Sequence, residues 1–328
     1  MLSKIKIDGF VIGLVGMVAL AVLWPEPGAT GGFLHIEYVT SYGLAVVFFL
    51  YGLTLAPEKM KAGLMRWPVH ITIQLGTFVL FPLVVLGLGF FVRDRIPPEL
   101  WLGFLYIAAL PSTVSSSVAM TSLARGNVPV AIFNASLSSL LGVFVTPLLM
   151  AWFVSTTGGN MAVGPVILKV VMLVLVPIAL GQIARHWLYE WATRHHKTIK
   201  LADRVVILAI VYNSFSDSMM EQLWSKHDPS VIAEMFVGAI VLFFIIYFIV
   251  RAVCRFLGMN REDTIACVFC ASKKSLATGV PLAPVIFGAV PGLGLIIAPL
   301  MIFHFSQLVI VSVIAGRYAE DERTAVAA

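Results

Sequence analysis

IAALPSTVSSSVAM, residues 107–120, starts as an apolar run and stops being one at its middle. The stretch to Leu110 suits hydrocarbon, but Pro111 lacks a backbone donor, and the residue before a proline is pushed out of the helical region. A helix crossing a bilayer is therefore interrupted here. Its freed backbone must bond to protein or to water in a cavity, because lipid offers no partners. About 160 residues later, CVFCASKKSLATGVPLAPVIF, residues 267–287, has a polar interruption at Ser272-Lys273-Lys274-Ser275. Paired interrupted spans in two halves of a chain point to a binding site where the breaks meet.

The composition places these breaks in a membrane. The chain of 328 residues is 59% hydrophobic and 12% charged with mean hydropathy +0.96, whereas soluble domains carry about a quarter charged residues. Counting about 20 apolar residues per crossing, the runs are 10–24, 36–55, 68–91, 99–124 (interrupted), 128–154, 164–186, 203–222, 229–256, 262–287 (interrupted) and 293–317. The expectation is an all-α membrane protein with ten transmembrane helices. Ala19-Leu20-Ala21 after Lys4 and Lys6 fits a cleaved signal peptide, but removing the first run would spoil the repeat, so a retained helix is expected.

Of the 22 Lys and Arg residues, Arg93, Arg95 and Lys226 fall on one side, Lys169, Lys273 and Lys274 fall within runs, and the remaining sixteen share the other side. Both termini are therefore expected in the cytoplasm, in a bacterial inner membrane. The net charge of +5 is topological and does not signal nucleic acid. Residues 187–204 then form a polar cytoplasmic connector near the midpoint, to whose surface His186, His195 and His196 belong. Lys169 lies near the outer end of span 6, where snorkelling accounts for it. Each half holds five spans, an odd number, so a duplicated unit has its second copy upside down: two inverted five-helix repeats, with spans 4 and 9 discontinuous and crossing.

The polar residues cluster accordingly. Thr113, Ser115, Ser116 and Ser117 follow the first break, and Ser272, Lys273, Lys274 and Ser275 form the second. Asn134 and Ser138 are one turn apart on span 5, His304 and Gln307 three apart on span 10, and Gln74 and Thr77 three apart on span 3. Interhelical hydrogen bonding explains each pair alone; together they form a polar line facing the crossing. Asn213, Ser214, Ser216 and Asp217 on span 7 read either as an entry vestibule or as the end of the span. Cys267 and Cys270 form a C-x-x-C with no second pair to complete a metal site, so they and Cys254 read as packing residues. No catalytic motif is present, and PGLGL from Pro291 is a turn. An enzyme is not expected, nor a metal or cofactor.

The segment 111–132, PSTVSSSVAMTSLARGNVPVAI, with its Leu123-Ala124-Arg125-Gly126-Asn127 turn, resembles the corresponding segment of the bile acid:sodium symporter superfamily. FCASKKSLATGVPL, residues 269–282, is similar to span 9 of its SBF-like branch. The resemblance implies a core of spans 3–5 and 8–10 (68–154 and 229–317), a panel of spans 1, 2, 6 and 7 (10–66 and 164–222) and a cytoplasmic tail (318–328). It also implies alternating access, with sodium driving uptake of an organic anion. Carried over, the family's Ser-Asn pair falls at Ser116 and Ser117, two hydroxyl residues of span 5 fall at Ala131 and Ala135, and the polar residue of span 3 is Thr77 or Gln74. The glutamate that bridges sodium ions falls at Val268 and the following Gln at Ser272. Two ammonium groups come next instead.

A lysine at mid-bilayer costs about 2.5–3.5 kcal/mol on insertion scales. Helical spacing points Lys273 and Lys274 in diverging directions, so one need face the crossing. Three readings stand. One ammonium, Lys274 because it leads directly into the Ser275-Leu276-Ala277 half-helix, sits where relatives hold a sodium ion and neutralises carbonyl ends and hydroxyls around Ser116, Ser117 and Asn134, making transport sodium-independent or proton-coupled; or the lysines bind the anionic substrate; or they are structural, bonding to main-chain carbonyls or, with span 9 shifted, placing Lys273 at an interface. The expected function is secondary transport of a small or amphipathic organic anion, with Na+ or H+ as coupling ion. The alternative is a membrane regulator or receptor that keeps the fold without moving solute. A water-accessible cavity at either lysine favours transport; a packed crossing favours the regulator.

Overall fold

The structure is a computed structural model describing residues 9–54, 66–156, 168–169, 171–222, 225, 228, 230–288 and 292–327. Lys4, Lys6, Lys59, Lys61, Lys226 and the expected turn at Pro291 lie outside the described residues. Among those described, every regular element is helical. α1 (Gly9–Leu23) and α2 (Ile36–Thr54) precede a three-part helix: α3 (Trp67–Leu75), a π-helical turn (Gly76–Leu80) and α4 (Phe81–Val92). Two half-length helices follow, α5 (Pro98–Ala109) and α6 (Ser115–Leu123), then α7 (Val128–Thr156). In the second half, a π-helical turn (Val171–Leu175) leads into α8 (Val176–Arg194), α9 (His196–Met220) and α10 (Ser230–Phe256). α11 (Arg261–Ala271) and α12 (Leu276–Phe287) are again half-length, and α13 (Leu293–Ala327) closes the chain.

Among the described residues, seven stretches of helix are long and apolar enough to cross a membrane. Three of the ten expected runs are not among them, each for a visible reason. The first is described only as the short helix α1, and run 99–124 is split between α5 and α6. Run 203–222 falls in α9 up to Met220, and that helix begins seven residues earlier and takes in Lys197, Lys200, Asp203 and Arg204. The expected connector 187–204 is correspondingly helical: α8 and α9 meet at His195, whose ring stacks on Trp191 at 5.0 Å. The expected tail likewise continues α13 without a break as far as Ala327.

Burial sorts the helices. The apolar window of α11–α12 is 94% buried and that of the α8 span 11%, so the broken helix is central and α8 peripheral. α2 lies along α8 and α9, and α1 along α9. The α2–α8 approach is backbone to backbone: a Cβ on Gly52 would strike the Ile178 carbonyl, and one on Gly181 the Phe49 carbonyl. Small residues permit such close packing where lipid gives no hydrophobic drive. α11 is enclosed by α3, α6, α7 and α10, and α13 packs on α5, α9 and α10. The three cysteines are buried without disulfides.

The polar patch on α9 has a structural task. Asp217 accepts from the Thr30 backbone N–H at 2.7 Å and the Thr30 hydroxyl at 2.8 Å, and Asn213 donates to the Gly28 carbonyl at 2.8 Å. Tyr212 donates to the Trp24 carbonyl. The patch pins the α1–α2 loop to the end of α9.

Candidate functional site

The interruption after α5 leaves carbonyls that no helix can satisfy, and the structure gives each a partner. Leu110 is extended (ψ 153°), as expected before Pro111, and Gly142 of α7 leaves room for the proline ring. The Ala109 carbonyl accepts from the Thr146 hydroxyl at 2.8 Å, and the Pro111 carbonyl from the Ser275 N–H at 2.9 Å. The Ala108 and Leu110 carbonyls both accept from the Lys274 ammonium. Ser112 then ties the two breaks from its own side. Its N–H donates to Ser138 Oγ at 2.9 Å and its hydroxyl to the Cys270 carbonyl at 2.5 Å. The breaks of the two spans therefore meet directly.

The second break is held by α13. Gln307 pairs with the Lys274 peptide on both edges: its Oε1 accepts from the backbone N–H and its Nε2 donates to the carbonyl, each at 2.8 Å. The same amide donates to His304 Nδ1 at 2.8 Å, which fixes the ring beside it. Ser272 folds back on the Val268 carbonyl, and Ser275 starts α12 as an N-cap, accepting from the Thr278 N–H at 3.2 Å. The Tyr106 hydroxyl donates to the Gly279 carbonyl across the crossing.

The two lysines are fully buried and diverge. Lys274 Nζ donates to the carbonyls of Thr77, Ala108 and Leu110 at 2.7–2.8 Å, and lies 4.1 Å from the centre of the Phe81 ring. Three acceptors match the three donors of an ammonium, and the ring face adds a cation–π contact. The Thr77 carbonyl is available because of the π-helical turn. There Phe81 N–H reaches back to the Gly76 carbonyl, so the next donor in that register belongs to residue 82, a proline without one.

Lys273 is placed differently. Among the described residues its ammonium bonds to Ser116 Oγ alone, at 3.4 Å, the long limit. Ser116 donates to Thr113 at 2.8 Å, Thr113 and Ser117 are 2.8 Å apart, and Ser117 donates to the Phe269 carbonyl at 3.3 Å. With the last hydrogen on that carbonyl, every hydroxyl in the chain points away from Lys273 and presents an oxygen toward it. Such alignment is mutually reinforcing in a low-dielectric interior.

The expected residues are therefore only partly brought together. Thr113, Ser116 and Ser117 form one hydroxyl chain that meets Lys273 through Ser116, whereas Ser115 is exposed at the start of α6. Lys274, expected at both carbonyl ends and the hydroxyls around Ser116, Ser117 and Asn134, meets only carbonyls; the lysine beside the hydroxyls is Lys273. Both lysines follow the end of α11, so the 100° helical spacing does not govern their directions. Ser138, His304 and Gln307 serve the backbone of the breaks. Gln74, Asn134 and His70 form a separate group, with Asn134 Nδ2 2.7 Å from His70 Nδ1 and Gln74 Nε2 3.2 Å from the Asn134 amide oxygen. Thr77 spends its hydroxyl on the Ile73 carbonyl and contributes only its own carbonyl.

The chain has relatives over nearly its whole length. The model of the SBF-like CPA transporter family matches residues 8–320. The chain belongs to this family. A Pseudomonas aeruginosa protein named only as uncharacterized is 40% identical over 321 residues, 98% of this chain and 96% of its own. YfeH of Escherichia coli, provisionally named a symporter, is 37% identical over 313 residues, 95% and 93% of the two chains. Sodium/bile acid cotransporter 7-A of Xenopus laevis is 32% identical over 326 residues, 96% and 92% of the two. With the apolar helices, these relatives indicate an integral membrane protein of the transporter kind.

Within this SBF-like chain the Leu123–Asn127 turn has a partner that the sequence did not announce. Asp263, 2% exposed, forms an ion pair with Arg66 and accepts from Asn127 Nδ2 at 2.7 Å. The Asn127 N–H donates to the Glu262 carbonyl, and Arg125 takes φ +56° to make the turn. The start of α3, the α6–α7 turn and the start of α11 are thereby fastened at one point. Asn260 capping the Asp263 N–H at 2.8 Å is the sequence signal for a helix start there, but it does not reveal the distant partners. A crevice of about 40 Å³ opens between Tyr51, Ile178, Ser139 and Thr278, beside the first turn of α12.

Proposed function

We infer that the chain is a secondary active transporter of a small or amphipathic organic anion, working by alternating access. Ten spans form two inverted five-helix repeats. A panel (10–66 and 164–222) and a core (68–154 and 229–317) move against each other, both termini are cytoplasmic, and the membrane is a bacterial inner membrane. The observation that supports this is the meeting of two broken helices, bonded Ser112 to Cys270 and Ser275 to Pro111. Half-helix ends at mid-membrane suit charged or strongly polar cargo.

Coupling follows from what stands in the cation positions. The positions that match the family's sodium ligands hold Ser116 and Ser117, Val268 in place of the carboxylate, and the Lys273 amine beside them. Uptake is accordingly sodium-independent or driven by protons, with Lys273 filling the place of the ion. The test is uptake of organic anions into proteoliposomes under separate sodium and proton gradients, with Lys273→Gln alongside. Sodium-driven uptake that is the same in Lys273→Gln overturns this coupling.

A second reading, a membrane regulator with the transporter fold, draws on the full burial of both lysines. Under alternating access the same burial belongs to an occluded conformation. Absence of uptake and of exchange for any anion under either gradient favours the regulator.

A further inference from the structure

We propose that the Lys274 ammonium is a built-in occupant of a cation site, and that the site is selective for a small primary ammonium group. Oxygen atoms from two unconnected pieces of backbone, the π-helical turn at Thr77 and the frayed end of α5 at Ala108 and Leu110, converge on one point at 2.7–2.8 Å. No side-chain carboxylate takes part; among the contacts described, the shell is carbonyl dipoles closed on one side by the Phe81 ring at 4.1 Å. Three carbonyls in a tripod satisfy three N–H donors, and an aromatic face adds to the attraction for a cation.

The convergence is written into the backbone. Pro82 withholds the donor that would occupy the Thr77 carbonyl in the π register, and the break before Pro111 frees the carbonyls of Ala108 and Leu110. Gln307 grips the Lys274 peptide on both edges, so the stem is aimed before the ammonium binds. The site therefore consists of fixed backbone dipoles plus a ligand tied to the chain. An exchangeable cation cannot share it, and the crossing is assembled without any ion from solution.

This inference rests on the geometry and not on transport, so the two fail separately. Lys274→Ala removes three methylenes and the nitrogen, which is the composition of n-propylammonium. Thermal unfolding of the purified variant is expected several degrees below the parent, with the loss recovered saturably by n-propylammonium chloride. Tetramethylammonium chloride at equal ionic strength, which has no N–H, is expected to recover nothing, and the parent is expected to respond to neither. The proposal is overturned if Lys274→Ala is as stable as the parent, if propylammonium gives no recovery, if tetramethylammonium gives the same recovery, or if the parent gains equally. Should Lys274→Ala fail to survive extraction in ordinary salt, extraction in n-propylammonium chloride is expected to yield monodisperse protein. Recovery in both salts, or in neither, counts against the site.

Discussion

Replacing Lys274 by methionine keeps the length and most of the packing of the side chain but removes the ammonium. Three carbonyls are then left without a donor in a place water and lipid cannot serve. Hydrogen bonds inside membrane proteins average about 0.6 kcal/mol and reach about 1.7, so three of them amount to roughly 2–5 kcal/mol. That corresponds to a fall in Tm on the order of 10 °C. The same change at Lys273 removes a single contact of 3.4 Å, so its cost is below about 1 kcal/mol; relief of the buried amine is common to both variants and does not separate them. The two neighbouring substitutions are therefore expected to separate widely in unfolding followed by tryptophan fluorescence in detergent. A Tm loss in Lys273→Met equal to or larger than that in Lys274→Met would refute the assignment of the two amines. The comparison also decides whether Lys273 variants remain folded enough for the uptake measurements to be informative.

Two further perturbations probe the frame around the crossing. At the Arg66–Asp263–Asn127 junction the carboxylate is 2% exposed while the Arg66 side chain is 52% exposed, so the partners are unequal. Arg66→Ala strands a buried charge and is expected to cost about 3 kcal/mol, more than Asp263→Asn, which leaves a neutral amide; unfolding measurements giving the reverse order contradict this. In the α2–α8 contact, Gly52→Val drives a side chain against the Ile178 backbone and is expected to cost about 1–3 kcal/mol, whereas Gly16→Val, on a helix face with open space, is expected to cost less than about 1 kcal/mol. Equal stability of the two valine variants is the outcome against it.

What the sequence disclosed was whatever is local to the chain. Pro111 and the Ser272–Ser275 interruption announce themselves because a proline or a charge conflicts with a helix in hydrocarbon within a few residues. Their meeting followed from the repeat, and the hydrogen bonds of Ser112 and Ser275 agree with it. What stayed hidden depends on partners far along the chain. Thr146 looks like any helical threonine until its hydroxyl is found on the Ala109 carbonyl. Arg66 counts only as an inner-side charge until Asp263 is opposite it. Which lysine meets the hydroxyls is not legible in the sequence, because both lie beyond the end of α11, where no helical spacing says which one turns toward Ser116. Pro82 was legible in principle: a proline inside a long apolar run frees a carbonyl about one turn earlier, and Thr77 lies there.

The bonding of Lys274 into the crossing has an electrical consequence. A sodium ion boards, travels and leaves, so its charge belongs to the cargo. An amine covalently tied to the chain and bonded to three of its carbonyls stays with the protein through every half-cycle, loaded or empty. Moving one elementary charge through the full drop of a 100 mV potential is worth about 2.3 kcal/mol, so shifting the crossing through a quarter of that drop is worth about 0.6 kcal/mol. That is close to a threefold change in the ratio of two conformations. In the alternating-access scheme proposed above, the resting membrane potential therefore biases the empty protein toward the state that holds this lysine nearer the negative face.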